Sequence, residues 1–220
     1  WYEENAKEDA VYIELANRKD RARHVSDEPI EWSGFLAINP DFIGWLSIDD
    51  TPVDYPVVYC ETNQYLYRAF DGSKNSSGCL FTLQGEWKTD QNTVIYGHNM
   101  GKRKDVMFSS LLRYKEKDYY ETHKFFTFDE IEHNGRYEII AAFNTKEQGD
   151  IVFQQTNFTE NEFYTYIAAC CERGGQDAPE LSPDTKLITL VTCDRSYGSL
   201  GRFCILAAQI ERTEKWQKDS

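Results

Sequence analysis

The stretch Lys186-Leu-Ile-Thr-Leu-Val-Thr-Cys193 is an apolar run that ends in a thiol, and Arg202-Phe-Cys-Ile-Leu-Ala-Ala-Gln-Ile210 is a second apolar run that begins with a guanidinium. Runs of this length and composition are typical of buried strands. The polar segment 194–201 joins them. Because both reactive side chains lie at the ends of one loop, we expect them to face the same small volume, as the groups of an active site do.

A third reactive side chain follows another short apolar run. The segment Thr93-Val-Ile-Tyr-Gly-His-Asn-Met100 places His98 just beyond a strand-like stretch and before a loop that contains glycine. Of the other histidines, His24 lies in a helical pattern, whereas His123 and His133 have charged, solvated neighbours. His98 alone follows an apolar strand pattern. A thiol, an imidazole and a guanidinium at strand ends favour a thiol transferase or hydrolase.

Each of these side chains also has a purely structural interpretation. A cysteine in an apolar run is more often a buried core residue than a nucleophile. Cys193, however, occupies the last apolar position before a polar loop, where a nucleophile can meet its substrate. Arg202 could instead be an edge charge or an ion-pair partner of Asp194, and Arg195 is a rival within the loop. We favour Arg202 because a strand holds a guanidinium more rigidly than a loop does.

Length and charge exclude several classes of function. The chain has 220 residues, 40% hydrophobic and 15% aromatic, which suffices for one large folded domain or one domain with a small appendage. Its 24 Lys and Arg residues against 37 Asp and Glu residues give a net charge of −13, which argues against nucleic-acid binding and against adhesion to anionic lipid. No apolar stretch approaches the ~20 residues that span a bilayer. The chain begins at Trp1, so we expect a processed or truncated product.

Cysteine spacing gives no sign of a metal site. The six cysteines are Cys60, Cys79, Cys170, Cys171, Cys193 and Cys204. No pair or Cys/His group among them has the spacing of metal ligands, so we predict no metal ion and no cofactor. Most of them lie inside apolar patterns, where a free cysteine behaves as a small hydrophobic residue, and this argues against a structural disulfide.

Short apolar runs separated by Gly, Pro, Asn and Asp predict a mainly β body with interrupting helices. The predicted strands are Gly44–Ile48, Tyr55–Tyr59, Gly78–Leu83, Thr93–Tyr96, Lys124–Phe128, Arg136–Asn144, Lys186–Cys193 and Arg202–Ile210. No internal repeat or linker divides this body. We therefore predict an N-terminal helical arm over residues 1–30, one catalytic domain over 31–212 and a C-terminal tail over 213–220.

Helices are predicted at the start of the chain and between strands. Residues 5–24 are rich in Ala, Glu, Lys and Arg and read as the helical arm. Asp105 is a candidate N-cap for a helix through Leu112, and segment 118–123 can add another turn. The strongest signal is Thr159-Glu-Asn-Glu162, a capping-box pattern, followed by an apolar face and ended by Gly174-Gly175. This helix is expected to cross over the sheet to the strand that carries Cys193.

These motifs resemble those of a known family. Thr189-Leu-Val-Thr-Cys193 followed by Arg202, with Tyr96-Gly-His-Asn-Met100 upstream, resembles the sortases, the surface transpeptidases of Gram-positive bacteria. Their signature is TLxTC followed by a catalytic arginine, with a distant histidine. The likeness runs from about residue 30 to about residue 210. The helical arm, Phe42-Ile-Gly-Trp-Leu-Ser-Ile48, Asp54-Tyr-Pro-Val-Val58 and the crossover helix are similar to class B sortases in particular.

The resemblance implies an eight-stranded sortase β-barrel and a set of functional residues. It implies Cys193, His98 and Arg202 as the catalytic triad, with Cys193 as nucleophile, His98 as acid and base, and Arg202 as stabiliser of the oxyanion. Thr192, Val191, Asp194 and Asn99 flank these residues and are predicted to contact the substrate or the thiol. Class B members often have serine where this chain has Val191, and valine cannot donate a hydrogen bond to a substrate. No acidic cluster matches the calcium site of class A members.

The same resemblance implies a reaction and a cellular setting. The expected reaction is cleavage after a Thr within a C-terminal sorting signal of a surface protein, through a thioacyl enzyme. An amine of the peptidoglycan cross-bridge, or a pilin lysine in polymerising members, then takes the acyl group. The expected location is the extracytoplasmic face of a Gram-positive cell membrane, through an N-terminal anchor that this chain lacks.

Two other classes of function remain open from the residues alone. A hydrolytic cysteine peptidase would use the same Cys and His but release its product to water, so that added amine would not alter the product. A surface binding module would present its 14 Tyr and 5 Trp as an adhesive face and keep its cysteines inert. In such a module no cysteine should be alkylated faster than the rest.

Overall fold

A computed structural model describes residues 2–24, 31–83, 87–101, 103 and 105–214. Within these ranges eight strands close into one barrel, as the resemblance implies. The strands are β1 (Phe42–Ile48), β2 (Asp54–Tyr59), β3 (Leu80–Thr82), β4 (Asn92–Tyr96), β5 (Phe125–Glu130), β6 (His133–Lys146), β7 (Leu187–Cys193) and β8 (Gly201–Glu214). Each lies where a strand is predicted, so the fold class is confirmed.

The order of strands around the barrel is β1-β2-β3-β4-β7-β8-β6-β5. Two neighbouring pairs, β2 with β3 and β4 with β7, are parallel, and the other pairs are antiparallel. The parallel pairing of β4 with β7 brings two distant parts of the chain side by side, and Thr189 Oγ1 donates a buried hydrogen bond of 2.9 Å to Asn92 Oδ1 across it. Because parallel strands run in the same direction, the residues that follow β4 and β7 emerge at the same end of the barrel.

The helices lie outside the barrel. They are α1 (Tyr2–His24), α2 (Ser33–Leu36), α3 (Lys117–Thr122) and α4 (Glu160–Gly174), with short 3₁₀ helices at Asn63–Leu66, Phe108–Lys115 and Arg195–Tyr197. No helix in the described ranges has both the length and the apolar character needed to cross a bilayer. The connection from β6 to β7 runs through α4, as predicted.

Both faces of the central strands are buried, which explains their unbroken apolar sequences. Along β7, Ile188 and Leu190 belong to the main core, whereas Leu187 and Val191 pack into a second cluster with residues of α4. Successive side chains of a strand point to opposite faces, so each face of β7 meets a different layer. The same alternation holds along β8. The strands that lead to the loop 194–200 are therefore fixed from both sides.

The predicted capping box starts α4. The Thr159 hydroxyl accepts from the Glu162 backbone N–H, and the Glu162 carboxylate accepts from the Thr159 N–H at 2.8 Å. At the other end Gly175 adopts φ 75°, a left-handed conformation that glycine reaches without steric cost. With both of its ends capped, α4 is a stable helix that packs on the outer face of the sheet.

The N-terminal helix docks on the barrel through buried contacts. Tyr12 and Leu15 join the main core, and the buried Lys19 ammonium bonds to Asp54 and, at 3.1 Å, to Ser47 Oγ. A buried charge is stable only when it is paired and hydrogen-bonded, so this pair sets where α1 lies on the barrel. The division of the chain at residues 30 and 212 stays a prediction, and segments 25–30 and 215–220 lie outside the described residues.

The structure also changes some local predictions. The strand predicted at Gly78–Leu83 shortens to β3, and that predicted at Arg136–Asn144 lengthens to β6, because β6 pairs with β8 over nearly its whole length. The prediction of an Asp105 N-cap was wrong. A 3₁₀ helix begins at Phe108 with Met107 before it and no side-chain cap, because Met107 has a φ of 51°, which interrupts any helix that comes from Asp105.

Candidate active site

Cys193 and Arg202 lie directly opposite each other. They form the last residue pair of the antiparallel β7–β8 ladder. Side chains of such a pair lie on the same face, with Cβ atoms about 5 Å apart. Below them on that face are Val191 and Cys204, which pack beneath α4. The ladder thus brings a thiol and a guanidinium together at the rim of the barrel, as the sequence predicts.

The sheet delivers His98 to the same rim. Beyond the last residue of β4 the chain stays bonded to β7, because the Gly97 N–H donates to the Val191 carbonyl at 3.1 Å. A larger residue here would have to displace core side chains, since a Cβ on Gly97 would lie 2.5 Å from a methyl carbon of Leu80 and 2.6 Å from the Phe108 ring. His98 therefore follows β4 at the level where Cys193 ends β7. The structure brings the three predicted catalytic residues to one end of three adjacent strands.

The ring orientation of His98 assigns a role to each of its nitrogens. His98 Nε2 lies 2.8 Å from the carbonyl oxygen of Leu66, in the 3₁₀ helix after β2. A carbonyl can only accept, so Nε2 carries the proton of this hydrogen bond. The Tyr67 ring also lies beside the imidazole, with 5.8 Å between ring centres. Because Nε2 is engaged, Nδ1 is the nitrogen that can exchange a proton with a reacting group.

Two further residues join the strand that carries the thiol to the segment that carries the imidazole. Thr192 Oγ1 donates to the Gly97 carbonyl at 2.8 Å, and Asn99 Nδ2 donates to the Cys193 carbonyl at 2.8 Å. Thr192 is buried, so its hydroxyl serves the protein rather than a substrate. Asn99 is partly exposed, and its contact with substrate stays a prediction. Together the two bonds fix the relative position of His98 and Cys193.

Arg202 is held by a carboxylate in this structure. Its Nη2 lies 2.5 Å from Glu147 Oε2, and its Nη1 donates to the Gly201 carbonyl at 3.1 Å. The Arg202 side chain is 18% exposed and that of Glu147 is 47% exposed. An ion pair with a half-exposed partner is screened by water and contributes little to stability, so it can open at low cost. The guanidinium is thus oriented at the rim and remains able to change partners.

Asp194 follows the nucleophile and turns into the protein. Its carboxylate accepts from Lys115 Nζ, from Asn144 Nδ2 at 2.6 Å, and from the Ser196 N–H and hydroxyl at 3.0 and 2.6 Å. Burial alone raises the pKa of this carboxyl, but the hydrogen bonds from Lys115, Ser196 and Asn144 and the charge of Lys115 outweigh it and lower the pKa to about 2. Asp194 is therefore ionised throughout the neutral range.

Two of the predicted substrate contacts do not fit this geometry. Val191 is 1% exposed and packs beneath α4, on the face of β7 that the helix covers. The side chain of Asp194 is 3% exposed and its oxygens are engaged by protein donors. Neither side chain can reach a peptide without breaking packing or hydrogen bonds. Their sequence positions beside Cys193 are explained by structure rather than by substrate binding.

Of the six cysteines, Cys193 alone is partly exposed; the other five are buried and all six are free thiols. Burial raises the pKa of Cys60 and of Cys171 to about 11 and that of Cys79 to about 12, so these groups stay protonated and unreactive. No group of three or more His, Cys, Asp or Glu residues in the described part of the chain is arranged to hold a metal ion.

The site contains residues that the sequence did not single out. Leu66 binds the imidazole, Glu147 binds Arg202, and Lys115 and Asn144 bind Asp194. Each comes from a segment far along the chain from its partner. None carries a local motif, so only the strand order of the barrel could have indicated them.

Comparison with known proteins agrees with this geometry. The sequence model of the sortase domain family matches residues 46–210 of this chain. The chain belongs to the sortase family, in class B. It is 32% identical over 190 residues to Sortase B of Listeria monocytogenes, which covers 84% of this chain and 74% of that protein.

Solved structures support the same assignment. The X-ray structure of Clostridium perfringens sortase B is 26% identical, with a TM-score of 0.73 over 82% of this chain and all of that one (100%). The Staphylococcus aureus sortase B–substrate complex has the same fold, with a TM-score of 0.83, 24% identity and coverage of 94% of this chain and 98% of that one. Members of this family are cysteine transpeptidases, so the sortase described here is an enzyme of that kind.

The hydrogen bond from Thr192 to Gly97 yields a test of how the imidazole is positioned. Replacing Thr192 by Val keeps the shape but leaves the Gly97 carbonyl without its donor, which should cost about 1–3 kcal/mol of stability. Because His98 is the next residue, we expect turnover to fall about tenfold through misplacement of the ring.

The matched control is Thr192→Ser, which keeps the hydroxyl and should keep most of the activity. Rates measured with a fluorogenic sorting peptide and unfolding free energies from urea titration provide the comparison. Equal activity in the Val and Ser variants would show that the hydroxyl does not position the site.

Proposed function

We propose that this sortase cleaves a C-terminal sorting signal after a Thr and transfers the surface protein to an amine of the cell wall. The observation that carries the proposal is the register of β7 and β8, which sets Cys193 against Arg202 beside the end of β4, where His98 follows. The partial exposure of Cys193 among buried thiols also supports it as nucleophile. We further propose that the enzyme works at the extracytoplasmic face of a Gram-positive membrane.

In the first half of the reaction the Cys193 thiolate attacks the carbonyl carbon of the Thr. The carbonyl electrons move to oxygen, and the Arg202 guanidinium stabilises the resulting oxyanion. The oxyanion then re-forms the carbonyl as the C–N bond breaks. His98 Nδ1, which has taken the proton of the Cys193 thiol, donates that proton to the departing amine, and the acyl group remains on Cys193 as a thioester.

In the second half a neutral amine attacks the thioester carbonyl. His98 Nδ1 takes the proton that the amine loses, and the C–S bond breaks. The new amide leaves the site, and Cys193 is again a thiolate. The hydrogen bond from Nε2 to Leu66 keeps the ring in one orientation through both transfers. The same imidazole thus acts as acid and then as base.

Arg202 has to exchange partners for this role. In the resting site its guanidinium binds Glu147, whose carboxylate is half exposed. We propose that the guanidinium turns from Glu147 to the oxyanion when charge develops on the substrate. A planar fork of N–H donors suits both partners, whereas an ammonium offers no such fork.

A solved Staphylococcus aureus sortase B is in complex with its substrate, which supports a peptide signal as the acyl donor here. For the acceptor we propose a cell-wall amine, with a pilin lysine as the alternative that the experiment below distinguishes. A panel of sorting peptides and amines, with ligated products identified by mass spectrometry, tests donor and acceptor together.

The acyl acceptor distinguishes a transpeptidase from a peptidase. We expect intact-mass spectra to show an acyl adduct on Cys193 when amine is absent, because water attacks slowly in a site shaped for an amine. Glycine peptides should convert the product from free acid to amide more effectively than lysine derivatives. In Cys193→Ala the adduct and turnover should both disappear, while stability changes by about 1 kcal/mol or less.

Three outcomes would contradict this scheme. The first is turnover of Cys193→Ala within about tenfold of the wild type, since loss of the nucleophile should abolish the reaction. The second is full-rate hydrolysis with no adduct and no amide formed with any amine, which would favour the peptidase. A preference for lysine derivatives over glycine peptides would favour the pilin alternative.

The two arginines of this region provide a matched pair. Arg202→Lys keeps the charge but loses the planar fork, and we expect the rate to fall by ~10²–10³ as for loss of one oxyanion donor. Arg195 is exposed in the loop, so Arg195→Lys should leave turnover nearly unchanged. Steady-state kinetics on both variants provide the test, and the opposite pattern would identify Arg195 as the catalytic arginine.

A further inference from the structure

The loop that joins the two catalytic residues begins at a buried residue, Asp194. Residues 195–200 are all exposed, whereas Asp194 is buried. At the base of the loop the Asp194 N–H donates to the Gly201 carbonyl at 3.0 Å. A Cβ on Gly201 would lie 2.3 Å from the Asp194 carbonyl oxygen, so only glycine allows this approach. At the far end of the loop the Glu147 N–H donates to the Leu200 carbonyl at 3.1 Å, so the position of the near end depends on what binds Asp194.

Two donors from outside the loop bind the Asp194 carboxylate. Lys115 belongs to the 3₁₀ helix before α3, and Asn144 lies on β6. Asn144 Nδ2 also lies 3.3 Å from the carbonyl oxygen of Arg202. One amide group thus touches the residue that follows Cys193 and the backbone of Arg202. It spans the two ends of the loop at the level of the catalytic pair.

The charges around Asp194 make Lys115 the dominant partner. In the described part of the chain, Lys115 is the one charged side chain that forms an ion pair with this carboxylate. Arg195 is exposed in the loop, and Arg202 is engaged by Glu147. Hydrogen bonds to a buried, ionised group are worth more than those to an exposed one, because the alternative is an unsolvated charge.

We propose that Lys115 and Asn144 are positioning residues that act through the Asp194 carboxylate to hold Cys193 and Arg202 at their catalytic separation. Neither touches the reacting atoms in this arrangement. Both come from segments that pack outside the loop, so they fix the loop against the barrel rather than within itself. The proposal rests on the proposed function of Cys193 and Arg202, and it adds residues to which that function assigns no role.

The surroundings of Lys115 supply a matched control. Lys115 is 37% exposed and lines a groove of about 880 Å³ that also contains Lys117 and Tyr197. Lys117 lies two positions along the chain, faces the same groove and does not contact Asp194. Because the Lys115 side chain reaches solvent through the groove, Lys115→Met should fold, and Lys117→Met reproduces the change of charge without loss of the ion pair.

The experiment compares kcat and KM for a sorting peptide in Lys115→Met, Lys115→Arg and Lys117→Met. We expect Lys115→Met to lower kcat at least about tenfold, since small displacements of reacting groups are costly, with KM within about twofold. Lys115→Arg should recover most of the loss, and Lys117→Met should match the wild type. A kcat for Lys115→Met within twofold of wild type, or an equal loss in Lys117→Met, would overturn the proposal.

A double-mutant cycle tests whether Lys115 acts through Asp194. If Lys115 acts only through its ion pair with Asp194, the Lys115→Met/Asp194→Asn variant should be no slower than Asp194→Asn alone. Losses that multiply would show separate roles and overturn the proposal. Should Lys115→Met fail to fold, Asn144→Ala in the same cycle with Asp194→Asn replaces it.

Readouts that do not depend on turnover separate this proposal from the proposed function. In ¹³C spectra the Asp194 carboxyl should titrate at a higher pH in Lys115→Met than in wild type, because the depressing charge is gone, and Lys117→Met should cause no such change. Amide exchange of Ser196 should quicken only in the Lys115 variant. If the wild type forms neither an adduct nor a ligated product, the proposed function fails, but the titration and exchange results still decide the role of Lys115. Unchanged titration of Asp194 and unchanged exchange of Ser196 in Lys115→Met would overturn the positioning role.

Discussion

The antiparallel ladder between β7 and β8 is the constraint on which the rest of the site depends. It pairs Cys193 with Arg202 at its last step. Because side chains alternate between faces, a slip of one residue would send the thiol or the guanidinium to the opposite side of the sheet. The two different cores on either side of these strands prevent that slip, since each face carries the residues that its own layer requires. Apolar packing thus fixes the face of the sheet on which each catalytic side chain lies.

At this rim the strands position the catalytic side chains, and the exposed loop is available to a substrate. The thiol and the guanidinium are on strands, and the imidazole follows β4 in a segment that Gly97 bonds to β7. The residues at 195–200 are exposed and available to a substrate, yet the loop is anchored at Asp194. A precise site needs supporting contacts around the reacting groups, and here they come from the 3₁₀ helix and β6. The substrate-facing surface can vary while the catalytic pair stays in place.

The sequence predicts all eight strands, the crossover helix and the convergence of three reactive groups, because each leaves a local pattern: an apolar run, a capping box or a polar residue at a strand end. Contacts between distant segments leave no such pattern. Lys115, Asn144 and Glu147 were missed for that reason. Val191 and Asp194 were assigned to substrate because they lie close to the nucleophile in the sequence. In the folded chain α4 covers the face on which Val191 packs, and protein donors bind the Asp194 carboxylate.

The central claim is that the β7–β8 register places one thiol, Cys193, at a partly exposed position opposite Arg202, while the other five thiols stay buried. Alkylation rates of the six cysteines, followed by peptide mass spectrometry in the folded and in the urea-unfolded protein, test it most directly. The account predicts that Cys193 is modified first in the folded protein, because it is the one cysteine that is partly exposed while the other five are buried. The other five should react only on unfolding. Modification of a second cysteine at a rate similar to that of Cys193 in the folded protein would contradict it.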